Sequence, residues 1–385
     1  MTLLGRLSNG GRGRGRTRTA ESDSLREPEN HCGPANHCGP SNCQEPKSHP
    51  EPKSRSEPHS HSESQSHGEP RRRKGPDPRA WAELLRLPAL FTVPGDALAG
   101  AAAAGARPNG RTLLAVGSSL CLYEAGMALN DWADRAEDAR DRPHRPLPSG
   151  RVRPVSALAA AGALTAAGLA LAARAGRPGL TVAVPLAATV WSYDLALKHT
   201  RVGPAAMAAA RGLDLLLGSA TTTGTVRPAL GPALALGAHT LAVTTVSRRE
   251  TQGGSSAAPL GSLLTTAALS WALTRRHGTG TADTEGAART NSRATAPVTA
   301  LFAMPATALT TVLTATYTAA TARPYVHAAL NPSPPLTQRA VGAGIRAMIP
   351  LQAALTARAG APGTALLTAA LAPAARRFAR KVSVT

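Results

Sequence analysis

Thirteen carboxylates follow residue 79, and five of them fall between Asp131 and Asp141. The run reads NDWADRAEDARDRPHRPLPSG, from Asn130 to Gly150. Asn130, Asp134 and Asp138 are four apart, so a helix places them on one face with Asp131 beside them. Amide and carboxylate oxygens converging from one face suit a hard divalent cation. Mg²⁺ fits best, because it takes a few protein oxygens and completes its shell with water and phosphate. The same run alternates Asp with Arg, so spacing alone fits a solvated, salt-bridged loop equally well.

The elements that must position these residues are long apolar segments. They fall near 82–104, 112–130, 154–174, 178–197, 203–223, 229–247, 257–274, 296–320 and 337–358, with a weaker run at 362–375. Each of the first nine is about 17–25 residues, the length a helix needs to cross roughly 30 Å of hydrocarbon. Only helices satisfy their own backbone groups in that medium without closing a barrel. The sequence therefore predicts an all-α polytopic transmembrane bundle of nine helices, with 362–375 as a short or re-entrant tenth. The acidic run begins where the second segment ends. Abundant Ala and Gly allow close helix contact, and Pro88, Pro94, Pro185 and Pro305 read as kinks within spans.

Charge and composition support this division. The 385 residues carry a formal net charge of +20 and only 3% aromatic residues. Of the 43 Lys and Arg, 29 follow residue 79, so +16 of the net charge lies there. These cations sit mostly between apolar runs, which argues for membrane topology and against nucleic acid as a partner. Residues 1–79 form a polar tail of Gly/Arg, Glu-Pro and His-Ser repeats. With almost nothing apolar to bury, it is predicted to be disordered. Its NHCGPA and NHCGPS repeats, with His31, Cys32, His37, Cys38 and Cys43, lack the paired spacing of a zinc site. It also lacks the apolar core of a cleavable signal. The domains are thus 1–79, tail, and 80–385, membrane part. The Arg71–Lys74 cluster places the N-terminus in the cytoplasm, and the Arg-rich loop 135–153, the Lys198–Arg201 turn and Arg248 follow on that side.

The Asn130–Gly150 stretch resembles the first signature of the UbiA superfamily of intramembrane prenyltransferases, N-D-x-x-D-x-x-x-D followed by R-x-x-R-P-L-P-S-G. Asn130, Asp131, Asp134 and Asp138 match the first part. Arg142 and Arg145 through Gly150 match the second. The resemblance extends loosely over 80–358 and looks most like a divergent, EboC-like actinobacterial branch. It implies a nine-helix fold, a Mg²⁺ cofactor held by Asn130, Asp134 and Asp138, and a diphosphate gripped by Arg142 and Arg145. The segment WSYDLALKHT, 191–200, resembles the family's Tyr–Lys stretch, which maps Tyr193 and Lys198 to the substrate side. Asp131, Asp134 and Tyr193 are the implied catalytic residues. The family's second Asp-rich motif corresponds here to SRRETQGG, 247–254. Glu250 is its one carboxylate and implied metal ligand. Arg248, with Arg249 beside it, would substitute cationic charge against the diphosphate.

The implied reaction moves an isoprenyl group from a polyprenyl diphosphate to an acceptor, aromatic or other, in the cell membrane. No obligate protein partner is expected. A transporter of a phosphorylated lipid or small solute would use a similar bundle, but no internal repeat between the halves supports one. A non-catalytic scaffold would not need the retained first motif. Three further features await the fold. Arg211 and Asp214 are spaced to pair on one helix, Asp96 and Glu124 are intramembrane acids, and His239 reads as a satisfied interior residue.

Overall fold

The computed structural model describes residues 77–248, 255–275 and 304–382, with backbone alone at 87–89 and 378–382. Glu250 and nearly all of the predicted tail lie outside these residues. Among the described residues every regular element is helical. In chain order the α-helices are α1 (Pro78–Leu84), α2 (Pro94–Ala103), α3 (Gly110–Ala133), α4 (Arg135–Asp141), α5 (Pro154–Ala175) and α6 (Arg177–Ser192). They continue with α7 (Gly203–Thr223), α8 (Leu230–Ser247), α9 (Ala257–Thr274), α10 (Ala306–Leu330), α11 (Pro334–Arg358) and α12 (Pro362–Val382).

Local chemistry sets many of these boundaries. Asp77 caps α1 by accepting from the Arg79 amide, with Pro78 at the first helical position. Asn109 and Thr112 form a reciprocal capping box that starts α3. Gly224, at φ 82°, ends α7 in the left-handed conformation that a side chain would disfavour.

Among the described residues, five helical stretches are long and apolar enough to cross a membrane: Gly110–Ala133, Pro154–Ala175, Arg177–Leu197, Arg227–Ser247 and Pro334–Arg358. The predicted first span, 82–104, is not one helix. It breaks into α1, a 3-10 turn at Leu87–Thr92, and α2. Pro88 lies in the 3-10 turn and Pro94 opens α2, where a missing N–H costs nothing. Of the predicted span 296–320, residues 304–320 are described: Pro305 caps α10 rather than kinking it, and the helix runs on to Leu330 through Pro324. Pro185 does lie inside its helix, α6.

Small residues let helices meet backbone to backbone. A β-carbon on Gly218 would collide with the Ala97 carbonyl, and one on Gly100 with that of Leu215. Helices α2 and α7 therefore touch along their main chains. This contact also closes a buried polar network. Asp96 is fully buried; it accepts from Arg211 Nη1 at 2.6 Å and from Gln352 Nε2 at 2.6 Å. The spacing-predicted partner Asp214 is 3.9 Å from Arg211 and instead accepts from Ser119 Oγ at 2.5 Å. Arg211 thus pairs across helices first and along its own helix second, because among the described residues it is the cation paired with Asp96 and burial makes an unpaired carboxylate costly. His239 uses both ring nitrogens, on the Tyr317 hydroxyl and the Gly344 carbonyl, each at 3.0 Å. The largest apolar core gathers Leu215, Leu236, Leu309, Tyr317 and Leu351 from α7, α8, α10 and α11.

Candidate active site

The acidic run lies at the end of α3, and the helix does not simply stop there. Asp134 caps α3, α4 starts at Arg135, and the hydrogen bonds from Asp134 N to Asn130 O and from Asp138 N to Asp134 O carry the helical path across the join. Asn130 and Asp134 therefore keep their common face, with Asn130 Nδ2 donating to Asp134 Oδ2 at 3.2 Å. Asp138 meets partners that its spacing does not announce. It accepts from Arg142 Nη1 at 3.1 Å and from Arg145 Nη1 at 2.6 Å. Arg145 also stands 3.7 Å from Asp131. The two arginines mapped to the diphosphate thus hold the helix's own acids.

The RPLPSG loop is pinned as firmly as a helix. Leu147 is buried against Ala80, Leu84 and Ala157. Ser149 Oγ donates to the Arg145 carbonyl at 2.6 Å, and Gly150 takes φ 72°. Arg151 bridges to Glu83 on α1 at 2.7 Å and donates to the His144 carbonyl at 2.7 Å. The purpose of the motif's apolar and small residues is then mechanical: they fix the Arg145 backbone so that its guanidinium reaches two carboxylates.

One participant was missed. Arg86 lies 2.7 Å from Asp131 Oδ1, in the break between α1 and the 3-10 turn. Its φ of 49° makes it the one non-glycine residue with positive φ among the described residues. That conformation costs about 1–3 kcal/mol and persists only where surroundings enforce it. The ion pair with Asp131 does so. A charged residue just before a proline-broken apolar run was the only available hint.

Opposite the end of α3 stands the end of α6. There Tyr193–Leu197 form a π-turn, sealed by the bond from Lys198 N to Tyr193 O at 2.9 Å. Such insertions re-aim side chains and recur at functional sites. This one turns Tyr193 and Asp194 inward and Leu195 outward. Lys198 Nζ contacts Asp134 Oδ1. Arg248, at the end of α8, donates to the carbonyls of Thr200 and His199. It therefore braces the 198–201 turn. A group of three candidate metal-binding side chains, Asp134, Glu137 and His199, has ligand atoms within 4.8 Å of one another. Neither Glu137 nor His199 was in the predicted ligand set.

Three further oxygens are notable. Asn130 Oδ1 and both carboxylate oxygens of Asp194 are buried without hydrogen-bond partners. Unpartnered oxygens at the rim of an acid cluster fit a divalent cation: they supply the hard ligands it needs and lack the donors that would otherwise satisfy them.

A mostly apolar cavity of about 90 Å³ lies between α3, α6, α7, α8 and α11, with Arg211 and Asp214 among its lining. Leu122, Tyr123, Leu186, Val190, Met207 and Met348 are among its walls. Tyr123 lies seven residues before Asn130 on α3, roughly 10 Å along the axis. Val190 is one turn before Asp194 on α6. The polar cluster and the apolar cavity are thus consecutive along the same two helices.

These features define a multi-pass helical membrane protein whose polar site adjoins an apolar chamber. The profile of the UbiA prenyltransferase family matches residues 90–349. The chain belongs to that family. Among curated relatives, it is 32% identical over 132 residues to the Bacteriochlorophyll synthase 33 kDa chain of Rhodobacter capsulatus, covering 33% of this chain and 43% of that protein. It is 35% identical over 127 residues to the Digeranylgeranylglyceryl phosphate synthase of Methanopyrus kandleri, covering 32% and 45%. The matches therefore span less than half the length of these relatives. Solved structures similar to the chain include a UbiA homologue from Archaeoglobus fulgidus bound to DMAPP and Mg²⁺ (16% identity, TM-score 0.49, 74% of this chain and 98% of that one). A second is the apo UbiA homologue from Aeropyrum pernix K1 (20% identity, TM-score 0.46, 67% and 96%).

Proposed function

We propose that this protein transfers a prenyl group from a polyprenyl diphosphate to an acceptor within the membrane. The observation that carries this reading is the placement of the acid–base cluster directly beyond the apolar cavity on α3 and α6. A prenyl diphosphate has the same division, a doubly charged head and a long apolar chain. Its chain fits walls of Leu, Val and Met, while its head reaches Lys198 and the end of α3.

Asn130 and Asp134, with Asp138 or Glu250 as further candidates, would hold Mg²⁺, which when bound supplies Lewis-acid neutralisation of the diphosphate leaving group. Lys198 lies on Asp134 and is placed to exchange that partner for a phosphate oxygen. Arg142 and Arg145 orient Asp138 and Asp131 through their ion pairs and in this reading would turn to the diphosphate when it arrives. Arg248 acts through the 198–201 turn it braces. Tyr193, buried at the start of the π-turn, would stand at the reacting end in this reading. The walls of the cavity exclude the water that would quench an allylic cation.

In this reading the bundle crosses the membrane nine times, α12 adds a tenth helix, and the N-terminus and site loops face the cytoplasm. The acceptor is a small molecule or lipid, and neither nucleic acid nor an obligate protein partner is required. Membranes carrying the protein, given labelled prenyl diphosphates of graded length with and without Mg²⁺, should release pyrophosphate and yield a labelled lipid. Asp134→Ala should abolish both. Undiminished turnover by that variant refutes the role given to Asp134, and substrate movement without pyrophosphate release would indicate transport.

A further inference from the structure

The notable residue that the proposed mechanism leaves unused is Asp194. Its side chain is buried, with the residue 1% exposed, yet neither carboxylate oxygen has a hydrogen-bond partner. Burying a carboxylate without donors is strongly unfavourable, so such a group persists where something bound compensates it. Its neighbours show what that is. The Asn130 amide nitrogen donates to Asp134 and is also the donor nearest Asp194, short of a formed hydrogen bond, so it stands between the two carboxylates. Asn130 is itself fully buried, and its amide oxygen is unpartnered. Among the described residues, the cation close to both acids is Lys198, which is in contact with Asp134. One carboxylate is therefore left without a counter-charge.

We propose that Asp194 is a ligand of the divalent cation at this site, which it shares with Asn130 and Asp134 across the gap between α6 and α3. This rests on the metal-dependent reading above and deepens it by bringing in a carboxylate from the π-turn. The π-turn explains how the residue gets there. Its extra residue per turn rotates Asp194 inward while the adjacent Leu195 is 53% exposed. Two carboxylates, with the Asn130 amide turned over so that Oδ1 replaces Nδ2 between them, form an all-oxygen donor set, which suits Mg²⁺ or Mn²⁺, with substrate phosphate and water completing the shell. The alternative group of Asp134, Glu137 and His199 includes an imidazole and opens outward at the exposed His199. Imidazole favours later transition metals over Mg²⁺.

The test is metal binding by the full chain in detergent micelles, with inorganic pyrophosphate standing in for the substrate head. Free Mn²⁺ is followed by electron paramagnetic resonance. Asp194→Asn should weaken Mn²⁺ binding by at least about tenfold, the lower bound for losing even an outer-shell partner, and Asp134→Asn should do the same. Wild-type affinity in Asp194→Asn beside a loss in Asp134→Asn overturns the assignment of Asp194 and leaves the metal site intact. No Mn²⁺ binding by the wild type would overturn the metal reading itself. Asp194→Cys keeps the test decisive should the amide variant misfold. A thiolate ligand prefers soft cations, so the ratio of Cd²⁺ to Mn²⁺ affinity should rise more than tenfold, and an unchanged ratio overturns the proposal.

Discussion

Lys198 and Asp134 meet across 64 positions of sequence, joining the π-turn at the end of α6 to the cap of α3. Each is the other's closest counter-charge, and both are largely shielded from solvent. The contact sets the distance between the two helix ends. It also stores an ammonium where a diphosphate would arrive.

Replacing Lys198 should therefore affect substrate capture before anything else. A charge-assisted bond to phosphate is worth about 1.5–3 kcal/mol. Lys198→Met should raise the KM for prenyl diphosphate by about 10–100-fold in steady-state assays, with a smaller loss in kcat. An unchanged KM would exclude Lys198 from phosphate binding.

Arg145 should matter more for stability than its position on a loop suggests. It serves Asp138 at 2.6 Å and Asp131 at 3.7 Å, both nearly buried. Removing one partner of a buried ion pair costs about 3–5 kcal/mol, because the remaining charge stays behind. Arg145→Ala should lower the thermal unfolding midpoint sharply in micelles. Arg145→Lys should recover part of that loss, since it restores the charge but not the planar fork.

The α2–α7 contact depends on hydrogen as a side chain. Gly218→Ala places a methyl group against the Ala97 carbonyl and should destabilise the fold by about 1–3 kcal/mol. Gly162, within α5, has open space where its β-carbon would be. Gly162→Ala should be neutral or stabilising by up to about 1 kcal/mol, through helix propensity alone. Equal effects of the two substitutions on unfolding would contradict this packing.

The cavity should limit donor length. Val190 lines it one turn before Asp194. Val190→Trp fills that depth and should shift preference toward shorter prenyl diphosphates. Losing room for even one methylene is worth about 1–3 kcal/mol of discrimination. Competition between short and long donors should show at least about a tenfold change in relative kcat/KM.

Much of the site was legible before the fold. Asn130, Asp131, Asp134 and Asp138 stand out because carboxylates are scarce and clustered, and helical period puts Asn130 and Asp134 together correctly. The same period did not foresee the partners of Asp138. It records that three side chains share a face but not that Arg145 folds back from the following loop to claim one of them. Arg86 and His199 gave little signal, since each reaches the site from a break or turn that has no periodicity, and Glu137 on α4 lies off the Asn130–Asp134–Asp138 spacing. Asp194 was visible but without a role, because a π-turn changes the direction of a side chain without changing composition.

The long apolar runs by themselves determined that this chain is helical and membrane-embedded, and the acidic motif determined its family, because length, hydropathy and spacing are properties of one segment at a time. Only the tertiary structure decided which charges meet: Asp96 with Arg211, Arg86 with Asp131, Lys198 with Asp134. Such pairs join distant segments. They form because burial in a low-dielectric interior makes any unpaired charge costly, and the partner chosen is the one that helix packing brings near.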